Sequence, residues 1–200
     1  MLSKTNTSKS PIVIFRKTLL VSLFFLLAAC SQLAIQSDLT QPDILKSKNI
    51  NNEINALGIK NLRMPNRIQM ASGQPSQSQL EALAKLGVQR VINLRPVSEQ
   101  SWDEKSLVES YDMEYVSLPI AGSAGATIPN PKVLDKLLKN SNKLTLVHCA
   151  SSNRVGALVA LNAALIESSN IDTAIAIGKD WGLTSLGQKV RNLVNTREDQ

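Results

Sequence analysis

The stretch of residues 144–157 constrains the fold more than any other part of the chain. It reads Leu-Thr-Leu-Val-His-Cys-Ala-Ser-Ser-Asn-Arg-Val-Gly-Ala. A short apolar run of strand-forming residues, 144–147, leads into a polar loop, 148–153. An Ala/Leu-rich helical pattern follows from Arg154. The sequence therefore predicts a strand, a tight loop and a helix, with Cys149 where the strand ends.

This order of elements suits the chemistry of anions. The first turn of a helix leaves backbone N–H groups unpaired and carries partial positive charge, so it attracts phosphate and favours a cysteine thiolate. A guanidinium adds a planar set of donors that can hold two phosphate oxygens at once. Because Cys149 and Arg154 lie within six residues of chain, the segment indicates a phosphate-transfer site with a nucleophilic thiol.

The rest of the domain alternates between strand and helix patterns. Strands are predicted at 61–63, 68–71, 88–94 and 115–120. Helices are predicted at 76–86, 99–110, 130 onward, 171–179 and 184–195. A capping box of Ser76 and Gln79 begins the first of them, and Asn130 caps the third. This alternation favours an α/β fold, a three-layer sandwich with a mainly parallel central sheet. Ligands then bind at the carboxyl ends of the strands, where Cys149, Arg95 and the loop 121–129 are expected.

The amino-terminal segment has the layout of a secretion signal. Residues 1–17 carry four bases and no acid, and an apolar run at 18–29 ends at Cys30. That run is too short to span a membrane comfortably. We therefore divide the chain into a signal peptide at 1–29, a polar tether at 30–52 and a globular domain at 53–200.

The tetrapeptide Leu-Ala-Ala-Cys that ends at Cys30 resembles a bacterial lipoprotein cleavage box. The resemblance implies that Cys30 is lipidated and becomes the mature amino terminus. Ser31 after it implies an outer-membrane lipoprotein that faces the periplasm and is held to the membrane by its lipid. An ordinary signal peptide, or an uncleaved anchor in which Cys30 is incidental, is the alternative.

The positive charge of the chain is concentrated in this leader. The whole chain has 22 Lys and Arg against 16 Asp and Glu. Without the four leader bases, 18 basic residues face 16 acidic ones, a net charge of +2. No basic stripe is interleaved with aromatic residues, so no nucleic-acid partner is expected. His148 is the only histidine, which excludes a multi-histidine metal site, and we expect neither a metal nor a cofactor.

The motif His-Cys-(x)4-Arg at 148–154 resembles the signature loop of cysteine-dependent phosphatases. More closely, the chain is similar to the beta-lactamase-hydrolase-like phosphatase family, a bacterial branch of the tyrosine-phosphatase superfamily. Three further segments are similar to family segments in the same order, Ser72-Gly73-Gln74-Pro75, Val91-Ile92-Asn93-Leu94-Arg95-Pro96 and Tyr115-Val116-Ser117-Leu118-Pro119-Ile120. The resemblance implies a tyrosine-phosphatase-like fold and a phosphorylated protein or small phosphoester as substrate. Hydrolysis would proceed through a phosphocysteine.

The resemblance also implies a role for each residue of the loop. Cys149 would be the nucleophile, and Arg154 would bind the phosphoryl oxygens and stabilise the transition state. His148 would shape the loop and favour the thiolate. The loop amides would complete the phosphate cradle, from Ala150, Ser151, Ser152, Asn153 and Arg154.

The loop departs from the family pattern in its backbone and in one neighbour. It has four residues between cysteine and arginine, where the usual tyrosine phosphatases have five. It holds no glycine where the backbone turns, so strain is expected at Ser152 or Asn153, of which Asn153 tolerates a left-handed conformation better. Val155 stands where a Ser or Thr often helps the thiolate to leave, so slow breakdown of the phosphocysteine is expected.

The general acid is also missing from its usual place. Tyrosine phosphatases carry an aspartate on a loop near the site, but the loop 121–129 contains no acid. The candidates that remain follow the Arg-Pro pair at 95–96 and are Glu104, Asp103 and Glu99.

Three other interpretations stay open at this point. The chain could be a non-catalytic binding module in which Arg154 and the loop hold an anion or a phosphorylated partner. It could be a rhodanese-like sulfurtransferase that carries a persulfide on Cys149, although the Asn-Leu-Arg-Pro and Ser-Gly-Gln-Pro segments argue against that. The simplest alternative is a core cysteine beside an arginine that caps a helix.

Overall fold

The structure is a computed structural model of the 200-residue chain, and it describes residues 41–120 and 129–198. The predicted signal peptide, Cys30 and most of the predicted tether lie outside the described residues, as does most of the predicted loop at 121–129. Helix α1 crosses the predicted boundary between tether and domain, and its Ile54 is buried.

Seven helices and four strands make up the described chain. In order they are α1 (Gln41–Ala56), β1 (Gln69–Ser72), α2 (Gln77–Lys85), β2 (Arg90–Asn93), a 3-10 turn (Val97–Glu99), α3 (Glu104–Ser110), β3 (Glu114–Ser117), α4 (Pro129–Lys139), β4 (Thr145–His148), α5 (Asn153–Leu165), α6 (Ile171–Asp180) and α7 (Gly187–Glu198). Within this part of the chain, no helix is both long and apolar enough to cross a membrane.

The four strands form one parallel sheet in the order β1-β4-β2-β3. Successive side chains of a strand point to opposite faces, so neighbouring rows of the sheet feed two cores. The row of Met70, Leu146 and Val91 packs under α1, α2 and α3. The next row, from Ala71 to Ile92 through β4, packs under α4 to α7. The predicted α/β sandwich with a parallel central sheet is confirmed.

The last row of the sheet is polar although it is buried. Ser72, His148 and Asn93 lie side by side, and each is completely inaccessible to solvent. Buried polar side chains are found where they have partners. Because the strands are parallel, the residues that follow this row emerge at one edge of the sheet. They include Cys149 and Arg95, as the sequence predicts.

Three element boundaries show which local signals decided the outcome. The capping box of Ser76 and Gln79 is confirmed, with both hydrogen bonds formed. The predicted helix at 99–110 ends where expected but is wrong at its start, because Val97–Glu99 is a 3-10 turn and α3 begins only after Asp103, whose carboxylate accepts the N–H of Ser106. The predicted cap at Asn130 is also wrong, since α4 already begins at Pro129.

Helices α5 and α6 approach each other closely at a pair of glycines, Gly156 and Gly178. A Cβ placed on Gly156 would lie 2.2 Å from the backbone nitrogen of Leu183 and 2.5 Å from the carbonyl oxygen of Gly178. Backbone atoms cannot rotate away as side chains can, so the contact admits no side chain at Gly156.

We predict that Gly156→Ala lowers the free energy of unfolding by about 2–3 kcal/mol through overpacking. The matched control is Gly187→Ala in α7, where a Cβ would meet nothing within 4 Å. There the gain in helix propensity should leave stability unchanged or raise it by up to about 1 kcal/mol. Urea unfolding of both variants is the measurement, and equal stability of the two would contradict the close contact.

Candidate active site

Cys149 follows β4 directly and is buried, with 1% of its surface exposed. Its backbone N–H donates to the carbonyl of Ser72 at 3.3 Å, which continues the pairing of β1 and β4 by one residue. The chain then turns at Ser152, whose φ of 67° is left-handed. The predicted strain in the loop is thus at Ser152, while Asn153 is the first residue of α5.

Contacts from distant parts of the chain hold the outside of this loop. The Oγ of Ser152 donates to the carbonyl of Trp181 at 3.0 Å. The Nδ2 of Asn61 donates to the carbonyls of Ser151 (2.9 Å) and Gly182 (3.2 Å). The Oδ1 of Asn153 accepts from the backbone N–H of Thr184 at 2.8 Å. The sequence analysis missed Asn61, since a loop asparagine carries no periodic signal.

Arg154 is buried, with 7% of its surface exposed, and three acceptors surround its guanidinium. Its Nη1 donates to the carbonyl of Ile120 (2.5 Å) and to Oε1 of Glu99 (3.0 Å), and its Nη2 donates to Oε2 of Glu99 (2.5 Å). Burial alone would lower the pKa of Arg154. The hydrogen bond and charge of Glu99 and those of Cys149 outweigh burial and raise this pKa. Cys149 therefore lies near enough to interact with Arg154, and the arginine stays charged.

The three predicted general-acid candidates are in different surroundings. Glu99 forms an ion pair with Arg154. Asp103 is at the surface, where its hydrogen bonds to Ser106 lower its pKa. Glu104 is buried, with 1% of its surface exposed. Both carboxylate oxygens of Glu99 accept hydrogen bonds from Arg154, so this residue is engaged as the partner of the arginine. The assignment of an acid stays a prediction.

Glu104 is placed directly against the residue that precedes the nucleophile. Its Oε1 lies 2.5 Å from Nε2 of His148, and its Oε2 accepts from Nε2 of Gln74 at 2.8 Å. Gln74 in turn accepts from Nη1 of Arg95 at 2.5 Å. The two segments quoted for the resemblance, 72–75 and 91–96, thus meet beneath the loop. The sequence analysis assigned no role to Gln74.

The described residues hold no group of three or more His, Cys, Asp or Glu side chains that could bind a metal ion. Cys149 is a free thiol. This edge offers a thiol, a charged guanidinium and the first N–H groups of α5, which lack partners within the helix. Such a set binds a tetrahedral anion and can attack it.

Comparisons with known proteins place the fold. No protein-family model matches the chain, and no curated protein matches its sequence significantly. Among solved structures, a "putative phosphatase (DUF442)" of Shewanella putrefaciens aligns at 23% identity with a TM-score of 0.54, covering 72% of this chain and 96% of that one. A protein of Neisseria meningitidis with the same described activity aligns at 17% identity and a TM-score of 0.56, covering 66% and 98%.

A kinase-associated phosphatase whose catalytic-site cysteine is replaced by serine is also similar. It aligns at 19% identity with a TM-score of 0.52, covering 70% of this chain and 94% of its own. Likenesses at these identities establish the fold alone. The chain has the α/β fold of the cysteine-dependent, tyrosine-phosphatase-like phosphatases.

Proposed function

We propose that the protein is a cysteine-dependent phosphatase that hydrolyses a phosphomonoester through Cys149. The observation that carries the proposal is the placement of two buried residues at the two ends of one loop, with Cys149 directly after β4 and Arg154 in the first turn of α5. The fold shared with phosphatases adds support, since ligands of parallel α/β sheets bind at this edge.

The reaction would take two displacements. The thiolate of Cys149 attacks phosphorus, the bond to the ester oxygen breaks, and the alcohol leaves with a proton from solvent or an acid. Water then attacks the phosphocysteine, and inorganic phosphate and the thiolate are released. Arg154 and the N–H groups of the loop stabilise the charge on the three equatorial oxygens, which is the largest contribution a protein makes to this chemistry.

The pairing of Arg154 with Glu99 and Ile120 prepares the guanidinium for this role. Both Nη atoms are held, so the plane of the guanidinium is fixed before an anion binds. A group that is already oriented loses little conformational freedom when it binds phosphate. Glu99 thus serves the site as a partner of Arg154.

We predict that Cys149→Ser abolishes turnover of an aryl phosphate and that Arg154→Lys lowers kcat/KM by about 10²-fold or more, since lysine cannot form the planar set of hydrogen bonds. The matched control is Arg191→Lys, a half-buried arginine of α7 that pairs with Asp172. Steady-state hydrolysis by the full chain in detergent under reducing conditions is the measurement. Undiminished turnover by Cys149→Ser would rule out the proposed nucleophile.

The unassigned acid leads to a second prediction, about the leaving group. Where no side chain protonates the leaving oxygen, it departs with negative charge and is protonated by solvent, so acidic phenols are favoured. We expect single-turnover rates to be about 10²-fold higher for 4-nitrophenyl phosphate than for phenyl phosphate, the factor that a general acid would otherwise supply. Similar rates for the two esters would show that a proton donor is present.

A binding module without turnover is the second candidate. Val155, which is completely buried in the core, carries no hydroxyl that could donate to the leaving thiolate. Slow loss of phosphate from Cys149 would turn the protein into a stable phosphoenzyme or a phosphate receptor. Accumulation of phosphocysteine in the single-turnover experiment would favour this candidate.

We also propose that the domain is attached to the cell envelope through a lipid on Cys30, facing the periplasm from the outer membrane. The sequence supports this proposal through the apolar run at 18–29 and the cleavage box that follows it. We predict that the protein takes up labelled palmitate in bacteria and that Cys30→Ala abolishes the uptake. Equal labelling of the variant would exclude acylation at this cysteine.

A further inference from the structure

A chain of hydrogen bonds runs beneath the loop from His148 to Arg154, and the proposed reaction leaves most of it without a role. Its interior members are two carboxylates, an amide and a guanidinium, from four different segments. They are Glu104, Gln74, Arg95 and Glu99. The two ends of this series of hydrogen bonds are His148, the residue before the nucleophile, and Arg154, the arginine after the loop.

The first link joins His148 to Glu104, and both side chains are shielded from water. His148 has no exposed side-chain surface, and that of Glu104 is 1% exposed. The 2.5 Å contact joins Nε2 to Oε1. A contact this short to a carboxylate oxygen fixes the plane of the imidazole ring. Side chains so deeply buried cannot exchange this partner for water.

The second link requires an amide. The Nε2 of Gln74 donates to Oε2 of Glu104 (2.8 Å), and its Oε1 accepts from Nη1 of Arg95 (2.5 Å). A carboxylate lies on one side and a guanidinium on the other, so only a side chain with one donor end and one acceptor end satisfies both. The orientation of the Gln74 amide is set by these neighbours.

The third link joins Arg95 to the pair at the site. Its Nη2 donates to the carbonyl of Glu99, and its Nε lies 3.8 Å from Oε2 of the same residue. The Glu99 carboxylate then holds both Nη atoms of Arg154. Displacing any member of this chain therefore leaves a half-satisfied buried network, whose cost is larger than that of one surface hydrogen bond.

We propose that Glu104, Gln74 and Arg95 are positioning residues that couple His148 to the Glu99–Arg154 pair and so hold both ends of the catalytic loop in register. This proposal rests on the proposed phosphatase function for its kinetic consequence. Its structural consequence, a coupling between position 74 and the two ends of the loop, can be measured without turnover.

A charge swap tests the coupling. Glu104→Gln places an NH2 group against the NH2 group of Gln74, and Gln74→Glu places a second carboxylate against the buried Glu104. Both single variants break the same link with nearly unchanged side-chain volume. The double variant restores it, because the amide at 104 donates to the carboxylate at 74, which still accepts from Arg95. Net charge is then the same as in the wild type.

We expect each single variant to lower kcat for 4-nitrophenyl phosphate by about 10-fold or more, and the double variant to recover to within about 3-fold of the wild type, as coupled neighbours do. KM should change by less than about 3-fold, because Arg154 stays charged. The matched control is Glu109→Gln, an exposed acid on the same helix α3. A double variant no better than the worse single one would overturn the proposal, as would a loss of kcat that equals the fraction unfolded by circular dichroism.

Amide NMR signals provide the readout that does not depend on turnover. His148 is the only histidine of the chain, so selective labelling identifies its signal, provided that the purification tag contains no histidine. We expect Gln74→Glu to shift the signals of His148 and Arg154 together, and the double variant to return both towards their wild-type positions. Signals that move independently would overturn the coupling. If the variants show these shifts but the wild type shows no turnover, the coupling stands and the proposed enzyme is refuted.

Discussion

Arg154 is a guanidinium that folding removes from water, and the loops around it are arranged to compensate for that burial. A buried charge is costly unless it is paired and hydrogen-bonded. Here the carboxylate of Glu99 and the carbonyl of Ile120 provide the pairing. Glu99 follows β2 and Ile120 follows β3, while Arg154 is the second residue of α5, which comes after β4. Three neighbouring strands therefore end at one guanidinium, and the parallel sheet is what makes their ends coincide.

This requirement explains why the sequence misled at one element. The residues from 99 to 110 favour a helix, but Glu99 lies in a 3-10 turn, and α3 starts five residues later. The carboxylate of Glu99 is bound to a group 55 positions away in the chain, and no local pattern records such a demand. Local propensity is a weak prior that tertiary contacts override, and a buried ion pair is a strong contact of this kind.

Other parts of the fold could be predicted because their causes are local. The capping box at Ser76 and Gln79 needs only residues three positions apart, and it is formed. The strand, loop and helix around Cys149 follow from a change in hydrophobic period within one segment. By contrast, the Nδ2 of Asn61 bonds to carbonyls 90 and 121 positions away. Hydrogen bonds of that range leave no periodicity, so the contacts that support the loop became visible only in the structure.

The left-handed turn at Ser152 shows how a loop can do without the glycine that its geometry favours. A non-glycine residue at this φ costs about 1 kcal/mol, and a buried hydrogen bond contributes a similar amount in return. The Oγ of Ser152 makes that bond to Trp181, and the space for it exists because the next residue is Gly182. A Cβ on Gly182 would lie 2.3 Å from the same Oγ. The glycine is thus required after α6, at Gly182, and not in the loop itself. The shape of the loop depends on how α6 packs against α5. The loop motif alone therefore does not contain all the contacts that hold the loop in place.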